Sequence, residues 1–285
     1  MPGGLRPTPR TGVWLCAKRR SCPFRAKSVS TQFIERMAVE IDGSGDPVIM
    51  VHGLGGCSNV FQPQLPALNR FRVIRPDLPG SGRSPANGQA SITGFVDALV
   101  RMARVLGAEK AHWVGHSMGT IVCQHVAAEH PAMVRSLALF GPLVAPPDAN
   151  RQALRARAGQ ARSEGMAPIA EAIVQGATSS DTKSNQLVVA AFVRELVMRQ
   201  PAEGYAQSCE ALASASPADL DRIRTPTLLV TGDEDMVAPP SAVRAMSERI
   251  GGARMTVFNR CGHWTTLERA HDCNAALRDF YSGRF

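Results

Sequence analysis

Ser117, His263 and a cluster of carboxylates between them have the residue types and surroundings for nucleophilic catalysis. Gly115-His116-Ser117-Met118-Gly119 follows a strand-like run and precedes a helix-like one. That is the setting a G-x-S-x-G nucleophile turn needs. The flanking glycines remove side chains that would clash with strand and helix. Ser117 is then left at a helix N-terminus, where free amides and the helix dipole favour developing negative charge. Upstream, Val48–Val51 runs into His52-Gly53-Leu54-Gly55-Gly56. Glycines just past a strand let backbone amides approach a ligand closely. The expected use is an oxyanion hole with the amides of Leu54 and Met118 as donors. The spacing fits neither a dinucleotide loop nor a phosphate loop with its Lys-Ser/Thr.

Two further segments complete the set. Thr227–Val230 reads as a buried strand leading into the acidic turn Gly232-Asp233-Glu234-Asp235, where one carboxylate could orient a histidine. Cys261-Gly262-His263-Trp264 follows the last strand-like run, so His263 can swing over the sheet edge toward Ser117. His52 and His116 are expected to be structural, holding the loop and packing inside. Cys261, His263, His271 and Cys273 match no strong zinc spacing. Cys57 reads as a buried filler rather than a reactive thiol. Arg151, Arg155, Arg157 and Arg162 share one helical stretch and either recognise a substrate carboxylate or form a solvated face, the commoner case.

These residues need a scaffold. Short apolar runs alternate with helical patterns from about residue 38 onward, which implies an α/β domain with a mostly parallel sheet. The runs are 37–41, 48–51, 71–74, 111–114, 134–140, 227–230 and 255–258, with helices expected at 92–106 and 119–129. Residues 144–223 break the alternation with four helical patterns and no convincing strand, an insertion placed beside the sheet like a lid.

The chain has 285 residues and a net charge of +8. Seven basic residues and no acidic ones lie in residues 1–33, and the remainder is close to neutral. The basic excess therefore describes a tail, not a nucleic-acid-binding core. No apolar run approaches the ~20 residues needed to span a bilayer. The seven scattered cysteines suggest reduced thiols and a cytoplasmic setting. Residues 1–32 read as a basic flexible extension, with a transit peptide or an upstream start codon as alternatives.

Taken together, the sequence resembles the α/β-hydrolase superfamily over roughly residues 33–282. The residues behind this are His52–Gly55, Arg75–Ser84, Gly115–Gly119, Gly232–Pro239 and Gly262-His263, in the family's chain order of Ser, then acid, then His. The resemblance implies a mostly parallel eight-stranded sheet flanked by helices. It implies a core of 33–143 and 224–285 and a helical cap at 144–223. It assigns the carboxylate to Asp235, with Asp233 a turn residue and Asp77 structural. Gly204-Tyr205, Cys209–Leu212 and Asp219–Ile223 resemble the 3-oxoadipate enol-lactonase and esterase branch. A small-molecule ester or lactone is the substrate so implied, cleaved by Ser117, Asp235 and His263 with no metal or organic cofactor. Gly53 and Trp264 are the candidate substrate contacts. Trp264 after the histidine resembles instead the meta-cleavage-product C–C hydrolases, which is one alternative. A ligand receptor on the same scaffold is another. Thr120 departs from the further glycine that often follows the nucleophile turn.

Overall fold

The computed structural model describes residues 30–86, 88 and 90–283. The expectations for residues 1–29 lie outside the described residues. Eight strands form one sheet: β1 Ser30–Ile34, β2 Met37–Gly43, β3 Pro47–Val51, β4 Arg72–Pro76, β5 Ala111–His116, β6 Val134–Phe140, β7 Thr227–Gly232 and β8 Arg254–Phe258. Their spatial order is β1-β2-β4-β3-β5-β6-β7-β8. β1, β2 and β4 pair antiparallel. β4, β3 and β5 through β8 pair parallel. The continuous apolar runs become the central strands, since a parallel sheet is covered on both faces. β7 is buried along its whole length. β1 was not foreseen because Ser-Thr-Gln-Phe-Ile lacks such a run. It is an outer strand paired with β2 on one side.

Helices cover the sheet. α1 Ile92–Val105 starts where Ser91 accepts a hydrogen bond from the Gly94 amide at 3.0 Å, the usual role of an N-cap serine. Its inner stripe includes Phe95, Leu99 and Met102. α2 Met118–Glu129 is buried nearly all round, against β5, β6 and α1. Five helices lie between β6 and β7: α3 Asp148–Glu164, α4 Ala167–Ala177, α5 Ser180–Asn185, α6 Leu187–Met198 and α7 Ala202–Ala213. α3 packs along α7, and α4 and α5 pack on α6. α8 Pro240–Arg249, α9 Thr265–Glu268 and α10 Ala270–Ser282 complete the chain. Among the described residues, no helix is long and apolar enough to cross a membrane.

A polar cluster ties β2 and β4 to the segment after β3. The Arg75 side chain on β4 is fully buried and donates to Glu40 at 2.9 Å and Asp42 at 2.8 Å. It also donates to the Ser58 carbonyl and Gln62. Asp77 accepts from the Ser58 amide at 2.8 Å and from the amide and Nε of Arg83 at 3.0 and 2.9 Å. Burial opposes ionisation of Asp77. The Arg83 and Ser58 hydrogen bonds and the nearby His52 outweigh it and hold the carboxyl below its ordinary value. Asp77 thus ties the turn after β4 to the segment after β3.

A carboxyl depressed by folding contributes stability above its unfolded value and loses it as pH falls through the folded one. Asp77→Asn should therefore cost about 2–4 kcal/mol at pH 7, because buried donors lose a charged partner. The variant should also lose less stability than the wild type as pH drops below about 4. Urea unfolding at a series of pH values checks both.

Candidate active site

β5 ends at His116 and α2 begins at Met118, so Ser117 alone makes the turn. Its backbone sits at φ 52°, ψ −124°, a region that costs a non-glycine residue of order 1–3 kcal/mol. Close packing enforces the turn. A Cβ on Gly115 would lie 2.8–2.9 Å from backbone atoms of Gly119 and Thr120, and one on Gly119 would strike the Val51 carbonyl. The Ser117 amide donates to the Phe140 carbonyl at 3.0 Å. Thr120, the departure noted in the sequence, hydrogen-bonds on both sides. Its hydroxyl donates to the Ser117 carbonyl at 2.6 Å and accepts from the Leu143 amide at 3.0 Å.

Three side chains from three separate segments meet here. His263 Nε2 lies 2.8 Å from Ser117 Oγ, and its Nδ1 lies 2.9 and 3.1 Å from the two Asp235 oxygens. Asp235 is buried, and its Oδ1 accepts the amides of Val237 at 2.8 Å and Ala238 at 2.7 Å. Burial pushes the Asp235 carboxyl up, but His263 and the two amides more than offset that and hold it below its usual value. An ionised Asp235 only accepts, so Nδ1 of His263 carries the proton and Nε2 is left to accept from the Ser117 hydroxyl. Asp233 does something else: its Oδ1 takes the Cys261 amide at 3.0 Å and closes the turn.

The loop after β3 lies directly over Ser117. A Cβ on Gly53 would sit 2.5 Å from Ser117 Cβ and 3.1 Å from its Oγ. His52 holds this loop. Its Nδ1 donates to the Gly53 carbonyl at 2.8 Å while Nε2 accepts the Leu78 amide at 2.9 Å. Burial lowers its pKa, so the ring stays neutral with both nitrogens used. Among the described residues, no protein group engages the amides of Leu54 or Met118.

Ser117 and His263 open into a cavity of about 580 Å³. Leu54 and Trp264 line it; Gly53 does not, being pressed against the serine. The Met118 side chain is buried in the core. The outer walls come from the segment after β6, from α3, and from Met236–Pro239. Trp264 packs on His116, whose Nε2 donates to the His263 carbonyl at 2.9 Å. Burial, reinforced by His263, drives the His116 pKa down to about 3. Cys57 is half-buried, and burial with Asp77 raises its thiol to about 11, which leaves little thiolate at neutral pH. Cys261 and Cys273 contact neighbouring carbonyls. Among the described residues, no group of three metal-ligating side chains is assembled.

Sequence reasoning missed Glu268. Its Oε2 accepts the Ser179 amide and the Thr182 hydroxyl, both at 2.8 Å, and the Gly262 amide at 3.1 Å. Its Oε1 accepts the Trp264 amide at 3.0 Å. The two residues flanking His263 are thereby fixed to the start of α5, and the His263 amide itself donates to the Ala177 carbonyl. The only signal was an acid five positions after a histidine, which carries no meaning until α9 folds back.

The sequence profile of the alpha/beta hydrolase fold family matches residues 46–270. The chain is 31% identical over 271 residues to 2-hydroxymuconate semialdehyde hydrolase of Pseudomonas sp. strain CF600, covering 84% of this chain and 87% of that one. A thermophilic esterase from Thermogutta terrifontis superposes with a TM-score of 0.82 at 27% identity, covering 87% of this chain and 94% of that one. An enol-lactonase from Burkholderia xenovorans LB400 gives 0.81 at 27% identity, covering 89% and 100%.

Glu268→Ala should leave three buried amides unpaired and lower stability by about 3 kcal/mol. Thermal unfolding tests this, and loss of ordered His263 imidazole resonances should accompany it.

Proposed function

This chain belongs to the alpha/beta hydrolase fold family, and from that premise we propose that it is a serine hydrolase cleaving a small carboxylic ester or lactone through an acyl-enzyme. The observation that carries the reading is the unbroken hydrogen-bond chain Ser117–His263–Asp235 opening into the cavity.

Ser117 Oγ attacks the carbonyl carbon while His263 Nε2 takes its proton. Asp235 stabilises the imidazolium that forms and fixes the ring's tautomer. The amides of Leu54 and Met118 receive the oxyanion; one such donor is worth on the order of 10²–10³ in rate. His263 then protonates the leaving alkoxide, which for a lactone remains tethered to the acyl group. Water, deprotonated by His263, releases the acid and restores Ser117. No step calls for a metal or organic cofactor. Helices α3 to α7 act as the cap, within a segment 144–223 set on a core of 33–143 and 224–285. Trp264 contacts the substrate from the wall. Gly53 contributes by bringing the loop backbone to the reacting carbonyl. The five free cysteines among the described residues support a reducing, cytoplasmic setting.

A second reading is hydrolysis of a carbon–carbon bond. It is supported by the relative named 2-hydroxymuconate semialdehyde hydrolase and by Trp264 in the cavity wall.

Short p-nitrophenyl esters, a lactone and a vinylogous diketo acid, offered to wild type and Ser117→Ala, separate these readings. Wild type should hydrolyse the esters and lactone, and Ser117→Ala should lose on the order of 10³ or more in kcat. Cleavage of the diketo acid alone favours the second reading. Binding without turnover of any of them overturns both in favour of a receptor. Asp235→Asn should retain fold and KM but lose on the order of 10²–10⁴ in kcat, since an amide no longer fixes the tautomer.

A further inference from the structure

We propose that the elbow between α6 and α7 is a positioning element for catalysis, in which Val197 and Tyr205 hold the Leu54 amide in place over Ser117; this rests on the serine-hydrolase reading and on Leu54 as an oxyanion donor.

The loop after β3 closes as a turn, with the Gly56 amide donating to the Gly53 carbonyl at 3.1 Å. Leu54 and Gly55 are its two corners. Gly55 has a φ of 75°, which glycine adopts without strain. The turn is gripped from two sides. At one end Gly53 lies against Ser117. At the other, a Cβ on Gly55 would lie 3.2 Å from Val197 Cγ2 and 3.4 Å from Tyr205 Cε2. Val197 is in the last turn of α6 and Tyr205 in the first turn of α7, and both are buried. Leu54 therefore sits between a contact with the serine and a contact with the helices above.

Two further contacts seat the elbow on the core. Gln200 is buried in the elbow itself. Its Oε1 accepts the Gly82 amide at 3.0 Å, and its Nε2 donates to the Leu196 carbonyl at 2.8 Å. Gly204 meets the Gly80 backbone so closely that a Cβ on it would strike the Gly80 carbonyl. Gly80 and Gly82 belong to the turn after β4, which His52 joins to the loop after β3 through the Leu78 amide. The elbow thus presses on Gly55 directly and braces the turn that supports the same loop.

The contact on Gly55 is made by carbon atoms, whose attraction fades within about 1 Å of added separation. A gap above Gly55 lets the turn lift and carries the Leu54 amide away from the oxyanion position. A hydrogen bond to the developing charge weakens steeply with poor alignment. The loss falls on the transition state and spares ground-state binding.

The test uses p-nitrophenyl butanoate as substrate and propyl trifluoromethyl ketone as inhibitor. Ser117 Oγ adds to the ketone carbon, His263 takes the serine proton, and the carbonyl electron pair becomes an oxyanion at the same site. Val197→Ala should lower kcat about tenfold, part of the order of 10²–10³ that a whole donor supplies, and leave KM within about twofold. The ketone Ki should rise in the same proportion as kcat/KM falls. Val197→Ile, which keeps both γ carbons, should retain most of kcat. Val193→Ala, an equally buried change one turn earlier in α6, should lower thermal stability to a similar degree and leave kcat and Ki in place. Gly204→Ala should show a larger loss of kcat than Val197→Ala; if it does not fold, the two valine positions decide. Equal effects of Val197→Ala and Val193→Ala on kcat, or a Ki that does not move with kcat/KM, overturn the elbow and leave the hydrolase reading standing. A wild type that neither turns over the ester nor binds the ketone overturns both.

Discussion

Ser117 can hold its left-handed backbone only where three chain segments come nearly into backbone contact. β5 must deliver it, α2 must start immediately, and the loop after β3 must press from above. Each approach is closed to any side chain at Gly115, Gly119 or Gly53. The strain of the turn is of order 1–3 kcal/mol, small against the burial of β5 and α2 around it. The same packing that stores the strain fixes Oγ within 2.8 Å of His263. Geometry that would otherwise have to be found on each encounter is paid for once, at folding.

The electrostatics of the site follow from which groups receive compensation for burial. Asp235 is buried but given two amides and His263, so it stays charged. In His52 and His116 burial outweighs the pull of the nearby Asp77 and Asp235, so they stay neutral and serve as spacers with directed hydrogen bonds. Glu268 accepts four donors and no cation among the described residues. It joins the His263 loop to the helices above the cavity. The residues on either side of His263 and the start of α5 thus share one acceptor.

Much of this was legible because it depends on local rules. A buried parallel strand needs a continuous apolar run, and seven of the eight strands carry one. The turn at Ser117 needs its two glycines, and the loop after β3 needs a glycine beside the serine. β1 escaped because an outer strand need not be apolar on both faces. Glu268 escaped because its meaning lies in donors 86 and 89 positions away. The helix α5 escaped because six polar residues, Ser180–Asn185, have no amphipathic period. It is nucleated instead by Ser179, whose hydroxyl accepts the Thr182 amide.

The four arginines of α3 set the sharper limit on sequence reasoning. They fall within twelve consecutive residues of one helix, and composition alone makes them a solvated face. Three different outcomes follow from rotation about the helix axis. Two are turned toward α7, where one meets carbonyls and the other a pair of acids. One is turned to water. Arg157 shares its face with Leu154, which requires burial, so packing the leucine draws the arginine to the cavity wall. Position relative to an apolar neighbour, rather than charge itself, decides which of the four cations reaches the cavity wall.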